Sequence, residues 1–350
     1  MKPYTQPLSE ISETTPQQTL CGSSQGTFNA EIGDYGVNTG TGFIQSLLCI
    51  IILALGTACS NPAGTTDEPV DKSVKQRHLT VTEQSSDPSA KRMPKVVITD
   101  EATTLSASWT AGDNLSYCNL SRQDYDSGTE TYNPYTGTLT AAESQSVSAL
   151  YGDVVCTSND YLAVVYPVNN TFDFSEPNTY SYSFSLAGQD GTLAKLAASY
   201  HQLYGRAYVT SVTDNDANAT MPKMKSLLTV CKFSFIDATT LAPIPVSTLT
   251  INYDDNTSEN GKYPQTATVT VNSTTEHAGV HAVADEALQP LTVTCTSEQE
   301  VVYVALMPTG ASRTFTFTVT NTSGTYTGTA SAQLNEGEFV PATGLKLVKE

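Results

Sequence analysis

Apolar and hydroxyl side chains alternate one by one through Thr314-Phe315-Thr316-Phe317-Thr318-Val319-Thr320, and the same two-residue period returns in short runs along most of the chain. Successive side chains of an extended strand point to opposite faces, so this period sorts apolar groups onto one face and polar groups onto the other. Wound into a helix, the same pattern would scatter its apolar groups around the whole cylinder. The runs are HLTVTEQ from His78, KVVITD from Lys95, LSYCNLS from Leu115, YLAVVYPV from Tyr161 and YSYSFSL from Tyr180. They continue with SLLTVCKFSFI from Ser226, STLTINY from Ser247, QTATVTV from Gln265 and LTVTCTS from Leu291. VVYVALMP from Val301, RTFTFTVT from Arg313, TYTGTASAQL from Thr325 and FVPATGLKLVK from Phe339 complete the set. Composition agrees: 52 Thr and 34 Ser are about a quarter of the 350 residues, and Thr with 18 Tyr favours a pleated, half-buried surface. An all-β chain of sandwiches or barrels is expected.

Hairpin turns are expected at Asp190-Gly191, Asn260-Gly261 and Asn321-Thr322-Ser323-Gly324. Only Gly191 to Gly205 suits a short helix, and the polar stretch Thr213 to Lys223 is the expected domain boundary. The formal charge of -18 argues against a nucleic-acid partner, because phosphate neutralisation needs clustered Lys and Arg.

Phe43 to Ala58 is the longest apolar stretch. As a helix it would span roughly 24 Å, short of the ~30 Å hydrocarbon core, so it reads as the apolar region of a signal peptide. It runs through Leu55-Gly56-Thr57-Ala58 into Cys59, small residues before a cysteine that resemble a bacterial lipobox and make Cys59 the expected lipid attachment site. Gly56 stands where that motif usually has Leu. Lys2 is the sole basic residue before Lys72, which suits a translation start placed too far upstream better than a signal peptide of 58 residues. The polar residues after Cys59 have the composition of a flexible tether. The expected organisation is an extension and signal peptide over 1-58, a tether over 59-76, and β-domains over 77-222 and 223-350.

Catalytic motifs are missing: there is no G-x-S-x-G, no H-E-x-x-H and no phosphate loop, and His78, His201, His277 and His281 accompany no motif. Neither an enzyme nor a cofactor is expected. Cys118, Cys156, Cys231 and Cys295 are too far apart in sequence for zinc spacing and read as small core residues, with disulfides among them the lesser expectation. The run Asp214-Asn215-Asp216 imitates a calcium loop, yet Ala219 stands where Gly is required and Lys225 where Glu is required, so no metal is expected. Trp109 reads as a core anchor, while Tyr117, Tyr151, Tyr161 and Tyr166 are the residues with which a glycan site would stack.

Several landmarks stand in an order that resembles the fimbrillin family, the type V pilins and related surface lipoproteins of Bacteroides-like bacteria. They are Trp109-Thr110-Ala111-Gly112-Asp113, YLAVVYP, GQDGTLAKLA, LYG, MPKMKSLLTVCKFSF, VVYVALMPTG and TFTFTVTNTSGTYTGTAS, then a Leu-Asn-Glu-Gly-Glu-Phe turn into GLKLVK. The likeness implies two tandem transthyretin-like β-sandwich domains and export as a lipoprotein to the outer membrane or cell surface. It implies assembly into a fimbrium by strand exchange with other pilin subunits, and adhesion to a host or bacterial surface ligand. A tethered surface glycan-binding lipoprotein is the alternative.

The same likeness implies maturation by cleavage after a basic residue in an N-terminal loop. Arg92, in the polar segment between HLTVTEQ and KVVITD, is the expected site, and Arg77, read as tether, is the second choice. Gly344 to Glu350 reads as the last strand of the second domain without a further donor strand, which implies a tip or accessory subunit.

Overall fold

The structure, a computed structural model, describes residues 73–350 apart from 85–96, 101–104, 129–130, 146–147, 169–170, 177, 255–262 and 285–287. Seven strands close a ring. They are β1 (Lys75–Gln84), β4 (Asn114–Asp126), β5 (Thr131–Ala141), β6 (Leu150–Cys156), β7 (Tyr161–Tyr166), β10 (Leu203–Val212) and β11 (Asp216–Pro222). Their order is β11-β1-β6-β5-β4-β7-β10, and β10 pairs back onto β11. Closure leaves none of the seven with a fully unpaired edge, which removes a template for aggregation. β12 (Lys225–Ser226) adds two pairs to β10, and β2 (Val97–Asp100) with β3 (Leu105–Ser108) forms a separate hairpin.

β7 explains the near-continuous apolar run YLAVVY. Leu162, Val164 and Tyr166 pack inside the ring with Leu79 and Val81, while Ala163 and Val165 on the opposite face join a second apolar cluster. A strand covered on both faces has no polar side to alternate with. Trp109 is 2% exposed and meets the Tyr166 ring edge-on, with centroids 6.0 Å apart, as a core anchor does.

The second cluster fills another sheet. Its strands are β13 (Thr229–Asp237), β14 (Pro243–Ile244), β15 (Val246–Asp254), β20 (Leu291–Gln299), β22 (Arg313–Asn321), β23 (Gly324–Ala332) and β24 (Phe339–Lys349), with β21 (Val302–Leu306) also paired to β13. The order is β14-β13-β24-β23-β22-β15-β20. Phe315, Phe317 and Val319 of β22 turn inward, and the Phe317 ring lies 5.2 Å from that of Phe233 on β13. Thr322-Ser323 closes the β22–β23 hairpin between paired Asn321 and Gly324, where the turn was expected.

A third sheet joins the two halves of the chain. β8 (Asp173–Glu176) and β9 (Thr179–Ser185) pair in the order β18-β17-β9-β8 with β17 (Thr266–Asn272) and β18 (Ala282–Ala284). β9 buries Tyr180, Tyr182 and Phe184 in the second cluster. β16 (Tyr263–Pro264) and β19 (Leu288–Gln289) form a small pair beside it. The expected short helix is there as α1 (Leu193–Lys195), continued by a wider turn over Leu196–Tyr200, and Thr192 caps it by accepting from the Lys195 amide at 3.1 Å.

Thr213 to Lys223, the stretch expected at the domain boundary, contains β11, whose inward positions are filled by Ala217, Ala219 and Met221, so a strand with small inward residues looks polar in sequence. Asp190-Gly191 is not a hairpin turn. Asp190 Oδ1 accepts from the Thr192 amide and hydroxyl, and the Gly191 carbonyl accepts from the Tyr303 amide of β21 at 2.8 Å. A Cβ on Gly191, at φ +78°, would lie 3.0 Å from Val302 Cγ1. Asn260-Gly261 lies outside the described residues.

Candidate assembly site

β1 is the element from which an assembly site can be built, because it lies in the ring yet precedes every other strand among the described residues. Its backbone runs parallel to β11 from His78↔Asp216 to Gln84↔Pro222 and antiparallel to β6 from Lys75↔Cys156 to Val81↔Leu150. Alternation sends Arg77, Leu79, Val81 and Glu83 inward and leaves Gln76, His78, Thr82 and Gln84 exposed. Leu79 and Val81 are both 0% exposed, and burying such side chains stabilises by about 1.5–3 kcal/mol each.

The inward ends of β1 are charged. Arg77 Nε donates to the Thr213 carbonyl at 2.7 Å, and Nη1 donates to the carbonyls of Ser73 and Cys156. At the far end Glu83 Oε1 accepts from the Met224 amide at 3.1 Å. Outside the ring, Lys75 pairs with Asp214 at 3.6 Å and His78 Nδ1 stands 3.3 Å from Asp153 Oδ1, both largely solvated and of small energetic weight.

Burial pushes the Glu83 carboxyl above its ordinary value of 4.5, against the opposing pull of the Met224 amide. A carboxyl with a raised folded pKa binds its proton more tightly in the folded chain. Its contribution to stability is therefore complete below the unfolded value and is lost as pH rises through the folded one. Glu83→Gln keeps an acceptor for Met224 without the charge. Urea titration should show the variant more stable than wild type at about pH 7 and equal to it at about pH 4. A difference independent of pH would rule Glu83 out as its source.

Cys59, Lys91 and Arg92 lie outside the described residues. Arg77 is not tether: it sits in β1 at 1% exposure with its guanidinium on three carbonyls, so the bond after it is closed to a protease in the folded chain. Tyr117, Tyr161 and Tyr166 do not form one aromatic face with Tyr151. Tyr117 and Tyr166 are buried, Tyr161 lies under the Arg206 guanidinium at 4.1 Å, and Tyr151 stands exposed beside His78. Cys118, Cys156, Cys231 and Cys295 are free and buried, and desolvation raises the pKa of each, that of Cys156 to about 11. Among the described residues no three His, Cys, Asp or Glu side chains gather as metal ligands. No helix among those residues is long and apolar enough to cross a membrane.

Sequence reasoning missed Glu83 as a groove residue and Gln189 and Arg206 as the pins between halves. The signal for Glu83 was its parity with Leu79 and Val81. Arg206 of β10 grips the carbonyls of Ser273 and Thr275 beyond β17, and nothing local announces that contact.

No protein-family model matches the chain, and no curated protein does. Among solved structures, a proposed cell adhesion protein from Bacteroides ovatus is similar over 79% of this chain and 96% of its own, at 12% identity and a TM-score of 0.44. Another from Bacteroides eggerthii is similar over 77% of this chain and 86% of its own, at 10% identity and a TM-score of 0.32. A shaft pilin of Lactobacillus rhamnosus GG is similar over 79% of this chain and 98% of its own, at 11% identity and a TM-score of 0.29. All three TM-scores lie below 0.5, where a likeness fixes neither fold nor function.

Proposed function

We propose that the protein is a fimbrial subunit or pilus-associated adhesin, exported as a lipoprotein through Cys59 and assembled when a neighbour's strand replaces β1. The reading takes 77-222 and 223-350 as tandem transthyretin-like domains pinned together through β9 and β17. The observation that carries it is the place of β1. Its departure would leave the backbone edges of β6 and β11 unpaired beside the groove that held Leu79 and Val81, a template that an extended segment of another chain satisfies. Lys91-Arg92 stands between β1 and β2 in sequence, where one cut separates β1 from the rest of the ring.

β24 lies between β13 and β23, with Leu345 and Leu347 buried, so lending it to a neighbour would open the second sheet through its middle, which supports a tip or accessory reading over one in which β24 itself is donated. The test is N-terminal sequencing of surface filaments labelled by antibody in electron microscopy. The chain in filaments should begin at Met93. Assembled material that still begins at acylated Cys59 would overturn the cleavage step, and cells without labelled filaments would overturn the fimbrial role.

A further inference from the structure

We propose that the groove under β1 selects its replacement strand by two polar end positions as well as by apolar alternation. The strand that fits carries Arg, then two aliphatic residues, then Glu or Gln, at every second position, and runs in the direction of β1. This rests on the reading of β1 as a replaceable strand.

The body keeps half of each polar contact when β1 leaves. The carbonyls of Thr213 and Cys156 stay at one end and the Met224 amide stays at the other. Arg77 is 1% exposed and Glu83 5% exposed, and the Cys156 carbonyl and Met224 amide that they meet are shut away from water. A strand with apolar ends would leave that buried acceptor and that buried donor without partners and the part-exposed Thr213 carbonyl without its charged donor, and unmet buried groups are costly. Arginine answers the two carbonyls with separate guanidinium nitrogens, whereas lysine has one ammonium to share between them.

Backbone pairing with β6 and β11 is blind to sequence, and two aliphatic positions alone specify a strand poorly. A slip of two residues keeps the inward parity of Leu79 and Val81, so alternation by itself tolerates it. The polar ends do not. Such a slip moves the guanidinium roughly 6.8 Å along the groove, beyond reach of both carbonyls. Reversing the strand places a carboxylate against carbonyl oxygens at one end and a guanidinium against an amide donor at the other. Register and direction are thereby read together, by groups lying at opposite ends of the strand.

The experiment uses the full chain with a site-specific protease sequence inserted between Gln84 and Val97. After cutting, β1 remains as a non-covalent fragment, and fluorescent peptides of residues 73–84 compete for its place. The wild-type peptide should exchange in. Peptides with Arg77→Met or Glu83→Leu should bind roughly tenfold to a hundredfold more weakly, and Glu83→Gln should stay within about threefold of wild type. A peptide with Leu79→Asp and Val81→Asp should not enter. If the wild-type, Arg77→Met and Glu83→Leu peptides bind within about threefold of one another, the polar selection is wrong while strand exchange stands. If even the wild-type peptide never displaces the fragment, β1 is not replaceable and both readings fall.

Discussion

Gln189→Glu should lower the stability of the folded chain by about 4 kcal/mol or more, and Gln189→Ala by about 2–4 kcal/mol. The amide of Gln189 copies a strand peptide unit. Its Nε2 donates to the carbonyls of Ala305 at 3.0 Å and Leu186 at 3.1 Å, and its Oε1 accepts from the Ala305 amide at 2.7 Å. The Gln189 carbonyl accepts from the Thr294 amide at 3.1 Å, so one residue from the first half of the chain connects β20 with β21. Gln189 is 3% exposed and Ala305 0%, so water cannot replace what is lost. Alanine leaves the amide and carbonyl of Ala305 without the Gln189 amide, whereas glutamate also turns a carboxylate toward two carbonyl oxygens. Urea denaturation should rank the proteins wild type, Gln189→Ala, Gln189→Glu in falling stability. A glutamate variant within about 1 kcal/mol of wild type would show that this contact does not pin the halves together.

Arg77→Met should cost about 2–4 kcal/mol, with Arg77→Lys recovering less than half. Methionine fills the volume and leaves the Thr213 and Cys156 carbonyls without their charged donor. The loss should concentrate in β1, so hydrogen exchange should quicken at the β1, β6 and β11 amides while β22 and β23 stay protected. Uniform quickening across both sheets would instead mean that β1 unfolds only with the whole chain, which would count against its release as a separate strand.

The strand pattern was legible because inward and outward parity is set by backbone geometry at each residue. All thirteen runs coincide with strands, although Lys95 and Val96 of the KVVITD run lie outside the described residues. Of the strands of seven residues or more, β5, β6, β10 and β11 were not read as strands. In β6, Gly152 looks like a turn residue, yet a Cβ there would stand 2.6 Å from the Thr138 carbonyl of β5, so the glycine serves close pairing. In β11, Ala217 and Ala219 are inward positions with too little side chain to show as an apolar period. Arg77 was misread for a related reason: a basic residue beside a polar segment signals tether until three carbonyls are brought around it.

Which residues face inward was therefore decided within each segment, down to Arg77, Leu79, Val81 and Glu83 on one side of β1. The partners of those residues were decided by folding alone. Thr213, Cys156 and Met224 come from three different stretches of chain, and β1 meets β11 in a parallel register that no turn between them dictates. Parity follows from the fixed alternation of Cβ directions along an extended backbone, whereas pairing between distant strands depends on which arrangement buries the most apolar surface with its polar groups matched, a property of the whole packed chain.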